Sequence, residues 1–78
     1  MGVACDVFPN PARRQATVQL PGAGYRLRVC DLLGRPVLSL PPATGPAAVL
    51  DLAPLCPGTF LVQADGPAGL ATRKLLVE

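Results

Sequence analysis

Histidine and tryptophan are absent from this 78-residue chain, and its only aromatic residues are Phe8, Tyr25 and Phe60. Without histidine, a serine or cysteine nucleophile lacks its usual general base. A zinc site would have to be built from cysteine and carboxylate alone. The carboxylates Asp6, Asp31, Asp51, Asp65 and Glu78 are spread singly, so no acid/base pair suggests itself. No glycine loop of the phosphate-cradling kind precedes a helix, since Gly22 and Gly24 join strands. The chain is therefore expected to be non-catalytic, with no cofactor and no metal.

Charge is scarce as well. A net charge of +2, with Arg13-Arg14 and Arg73-Lys74 as separated pairs and no aromatic platform beside them, argues against nucleic acid. No apolar run approaches the roughly 20 residues of a membrane helix, so no membrane insertion is expected. Met1 to Asp6 has neither the basic start nor the apolar core of a signal peptide. Asp6 also stands where myristoylation would want Ser or Thr.

Ten prolines and eight glycines exclude long helices, while 50% hydrophobic residues exclude disorder. That balance suits short strands joined by turns. Period-two alternation is the recurring signal. Ala16, Val18 and Leu20 alternate with Thr17 and Gln19; Tyr25, Leu27 and Val29 alternate with Arg26 and Arg28. Further strands are expected at Pro36 to Leu40, Ala47 to Leu52, Phe60 to Ala64 and Leu70 to Val77, with a first one near Val3 to Phe8. These make seven, at about ten residues per turn signal, which predicts a small seven-stranded antiparallel β-sandwich over residues 1–78 as a single domain. The alternation puts Leu20, Leu27, Val29, Leu50, Leu52, Phe60, Val62, Leu75 and Val77 inside.

Gly34 is suited to the positive φ of a tight hairpin turn after Leu32-Leu33. Gly58 sits at a corner before the Phe60 strand, where a backbone that tolerates no Cβ is plausible. The three cysteines, Cys5, Cys30 and Cys56, are odd in number and lack C-x-x-C spacing, so they form one disulfide at most. Cys30 falls on the arginine face of its strand and is expected to be the most exposed thiol.

The run Val7-Phe8-Pro9-Asn10-Pro11-Ala12 gives the chain a rigid lead-in, because each proline fixes its own φ, removes a donor and pushes the residue before it toward extended backbone. Further blocks follow: VCDLLGRPV at 29–37, LCPGTFLVQA at 55–64 and ATRKLLV at 71–77. In order and spacing, the four blocks resemble the C-terminal sorting domain of the bacterial type IX secretion system, the type A sorting domain. The resemblance covers nearly the whole chain and implies an Ig-like version of the sandwich.

It also implies a secretion and sorting signal that directs an N-terminal cargo through the outer-membrane translocon and is then cleaved off by a sortase-like cysteine protease. The cargo often stays anchored at the cell surface. Partners would be translocon components, the protease and the cargo domain; the location would be secreted or cell surface, reached through the periplasm and outer membrane of a Gram-negative bacterium. On this reading the chain is the tail of a longer protein. Residues of the matching blocks, Pro9, Asn10, Pro11, Asp31, Gly34, Arg35, Gly58, Phe60, Arg73 and Lys74, become sorting-motif candidates. Departures are Phe60 and Cys30, where relatives commonly carry tyrosine, and an ending in Val77-Glu78 rather than a basic residue. The alternative is an Ig-like or fibronectin-like adhesion or ligand-binding module of a surface protein.

Overall fold

Each alternating segment forms a strand, and the turn residues between them set where pairing stops. The structure, a computed structural model, describes residues 5–78. Its strands are β1 (Asp6–Phe8), β2 (Gln15–Gln19), β3 (Arg26–Cys30), β4 (Pro36–Ser39), β5 (Ala47–Asp51), β6 (Gly58–Gly66) and β7 (Gly69–Val77). There are seven among the described residues, with no helix. They form two antiparallel sheets, one ordered β1-β2-β5 and the other β4-β3-β6-β7. The expected seven-stranded, Ig-like β-sandwich is thus the observed architecture. Val3 and Ala4, placed in the first strand by the sequence, lie outside the described residues; that strand begins at Asp6.

The inner faces are those the alternation assigns. Ala16, Val18, Leu20, Leu50 and Leu52 come from the three-stranded sheet and its flanks. Tyr25, Leu27, Val29, Val62, Ala64, Ala71, Leu75 and Val77 come from the other. A buried Val or Leu side chain contributes about 1.5–3 kcal/mol, so this aliphatic core supplies most of the cohesion that scarce aromatics cannot. Phe60, expected inside, is half-buried and packs against the core from its margin.

β6 and β7 are longer than their alternating segments indicated, at nine residues each. Their register runs without a break from Gly58↔Val77 to Gly66↔Gly69. Only Pro67 and Ala68 remain for the turn. Its placement is fixed from below: the Tyr25 hydroxyl accepts a hydrogen bond from the Ala68 amide at 3.3 Å. The Tyr25 ring lies so close under Gly66 that a Cβ there would sit 2.5 Å from its Cδ2. Tyr25 thus ties the β6–β7 turn to the body of the sandwich. The alternation marks Tyr25 only as one more strand residue, with no sign of this tie.

The exposure expected of Cys30 is overturned: it is 2% exposed, and Cys56 is the exposed thiol. Cys30 does lie in the outward phase, opposite Leu61 of β6. Two features cover it. The β3–β4 register shifts between Val29 and Cys30, setting Cys30 against Pro36. The thiol also donates to Gln63 Oε1 at 3.8 Å. A small side chain on a central strand, flanked on both sides, is closed over by its neighbours. All three thiols are free.

Candidate functional site

The first and last of the four sequence blocks meet along the outer edge of β7. After β1, two cis peptide bonds, Phe8-Pro9 and Asn10-Pro11, carry the chain away from its own sheet. Residues 10–12 then run beside β7 of the opposite sheet, with Ala12 bridged to Val77 in parallel. In an antiparallel strand, alternate residues turn their backbone groups toward and away from the neighbour. The outward set on β7 includes Lys74, Leu76 and Glu78, and this stretch is occupied.

Asn10 supplies both ends of a substitute peptide group. Its Nδ2 donates to the Lys74 carbonyl at 3.0 Å, and its Oδ1 accepts from the Leu76 amide at 3.0 Å. The Ala12 amide donates to the Leu76 carbonyl at 2.8 Å, and the Glu78 amide to the Ala12 carbonyl at 2.8 Å. Arg73 closes the arrangement from the other side. Its residue is in the inward phase, between the buried Ala71 and Leu75, yet it stands at the flank of the sandwich and is exposed. Its Nε donates to the Cys5 carbonyl at 2.9 Å and Nη1 to the Thr72 carbonyl at 2.9 Å. An edge that would template foreign pairing is thereby closed by the chain itself. The Cys5 thiol is buried in this corner. Burial pushes its pKa up, against the nearby Arg73 guanidinium, which lowers it, and with a smaller upward push from Asp6.

Asp31, Gly34 and Arg35 build a separate feature, the β3–β4 hairpin. Asp31 Oδ1 accepts from the Leu33 amide at 2.9 Å and from the Arg35 amide at 3.0 Å. Oδ2 receives Arg35 Nε at 2.8 Å. Backbone bonds Asp31 N to Arg35 O and Gly34 N to Asp31 O complete the turn. Gly34 takes a φ of +86°, as its place in the turn requires. The Arg35 amide holds the Asp31 carboxyl below its ordinary range, against desolvation and with added help from the Arg35 guanidinium and the Leu33 amide. The product is a rigid tip carrying two leucines into solvent, Leu32 at 61% and Leu33 at 79% exposure.

The two features point the same way along the four-stranded sheet. β3 ends at Cys30, opposite Leu61, on the side where β6 begins and β7 finishes. Gly58, the first residue of β6, pairs with Val77, and Phe60 pairs with Leu75. Gly58 has a φ of +157°, a conformation side-chain-bearing residues rarely adopt, although a Cβ there would lie at an ordinary 3.9 Å from Phe60 Cε2. Nine of the ten motif candidates therefore lie on or near one end of one sheet, as a β7 latch and a hairpin tip, while Arg73 stands at the middle of β7 opposite Val62. What the sequence did not disclose is that Asn10 acts on β7 rather than only on its own turn.

Among the described residues no group of three or more His, Cys, Asp or Glu side chains converges. An open cleft lined by Arg26, Arg28, Ser39, Pro41, Pro42 and Asp65 lies toward the other end of β3 and holds none of the motif candidates. A family model described as the secretion system C-terminal sorting domain matches residues 6–78. No curated protein matches the chain. The chain belongs to that family: it is a type IX secretion sorting domain, a signal that works with the type IX machinery and an N-terminal cargo toward a secreted or surface location.

Proposed function

We propose that this domain is the folded tail of a longer exported protein and that the end of its four-stranded sheet is the address. In this reading, outer-membrane translocon components of a Gram-negative bacterium dock on the Leu32-Leu33 tip and the neighbouring end of β7. A sortase-like cysteine protease then cuts in front of Pro9, and the released cargo is often fixed at the cell surface. The domain contributes shape and no chemistry of its own.

The observation that carries this is the convergence of the four motif blocks. Pro9 to Pro11, Asp31 to Arg35, Gly58 to Phe60 and Lys74 are far apart in sequence but share one end of one sheet, with Arg73 next along β7. A purely architectural role would not require two bulky leucines held rigidly in water at that place.

The test is a fusion of the domain behind an exported reporter in a type IX-competent host. The complete domain should send the reporter to the surface or medium with the domain removed. Deleting Arg73 to Glu78 takes the core residues Leu75 and Val77 and the Asn10 partners with it, and should leave the reporter in the periplasm. Equal secretion of the two fusions would favour an adhesion or ligand-binding module instead.

A further inference from the structure

The bonds at the β7 edge join two stretches that are remote in sequence, residues 5–12 and residues 74–78, and Arg73 adds the Cys5 carbonyl to the set. We propose that Asn10 is the positioning residue of a latch: it docks residues 5–12 onto the end of β7 as a unit that opens without unfolding the rest of the sandwich.

Three features make the unit separable. β1 has only three residues paired to β2, so besides the latch this stretch is held by that short ladder and by the packing of Cys5, Val7 and Ala12 against the core. Asn10 and its partners Lys74 and Leu76 are exposed, so water can replace each bond as it opens. The ladder that holds β7 to β6 uses the inward-turned backbone groups of the intervening residues, so the latch can open while that ladder stays closed. What the latch does for the protein rests on the sorting reading. Machinery that lifts the end of β7 would free the backbone in front of Pro9 as the extended chain that a peptidase must bind. Recognition at one end of the sequence would then license cutting at the other.

The three free cysteines provide the test in the intact chain. Cys56 is exposed and serves as the solvent reference. Cys30 is buried on the outer face of the central strand β3, under Gln63 and away from the latch, and reports disturbance of the four-stranded sheet itself. Cys5 is buried within the latch and reports that unit alone. Alkylation rates at each thiol, read site by site by mass spectrometry under native conditions, separate the three.

In Asn10→Ala, Cys5 should be modified about tenfold faster or more, while Cys30 and Cys56 keep their rates. Leu76→Pro removes only an outward amide, the donor to Asn10 Oδ1, and should give the same pattern. Asn10→Asp keeps the acceptor and loses the donor, so its rise should be smaller. An unchanged Cys5 rate in both Asn10→Ala and Leu76→Pro would overturn the proposal. So would equal acceleration of Cys5 and Cys30, because the opening would then not be confined to the latch. This measurement needs no secretion host, so its failure is distinct from failure of the sorting reading.

Discussion

The carboxylate of Asp31 accepts three hydrogen bonds within five residues, and that arrangement depends on its charge. Its folded pKa lies below the ordinary value, so the unfolded chain takes up the proton first as pH falls. The stabilisation is therefore fully present above the unfolded pKa of about 3.9 and is lost as pH drops through the lower folded one. Thermal melts of the parent and Asp31→Asn should differ by a constant amount from about pH 5 to pH 8 and converge below about pH 4. A difference that does not change with pH would mean the hairpin holds by backbone bonds alone. Tyr25 offers a second test at this scale. Gly66→Ala places a methyl against the buried Tyr25 ring, closer than van der Waals contact allows, and should cost about 1–3 kcal/mol by chemical denaturation. A neutral result would show that the ring shifts freely and does not fix the β6–β7 turn.

At the scale of elements, strand identity was legible because the apolar phase of each segment repeats every second residue. Ala16, Val18 and Leu20, or Leu27 and Val29, can share a face only as strands. The ends were less legible. β6 and β7 extend to Gly66 and Gly69 because the tie from Tyr25 holds the turn tight, and nothing local in Asp65-Gly66-Pro67-Ala68-Gly69 specifies that. Cys30 shows a related limit: phase told correctly which face it is on, but a register shift and Gln63 decided whether water reaches it. Phe60 illustrates the same point in the core. Large aromatic deletions in a full core cost about 3–5 kcal/mol. Phe60 is only half-buried, so Phe60→Ala should cost about 2 kcal/mol, less than Leu75→Ala at about 3 kcal/mol beside it. Denaturant midpoints with a reversed order would place the ring at the centre and contradict the observed packing.

For the whole molecule, the three-on-four sandwich brings both ends of the described chain to one edge. Residues 5–12 leave the three-stranded sheet and lie along the last strand of the four-stranded one. The four blocks could be read from the sequence as a family pattern, yet their meeting place could not. That depends on Asn10 finding β7 more than sixty residues away, a contact with no local signature. The candidate site was thus legible as a set of residues and not as a surface. Once assembled, it joins a leading segment, a terminal strand and an apolar hairpin tip in one region, a layout suited to being read and then detached. The most direct check is the location of an exported reporter carrying the complete domain, compared in hosts with and without the type IX translocon. The reporter should appear outside the cell, freed of the domain, only where the translocon is present, and should stay in the periplasm where it is missing. Reporter found outside in equal amounts in both hosts would contradict the sorting function itself.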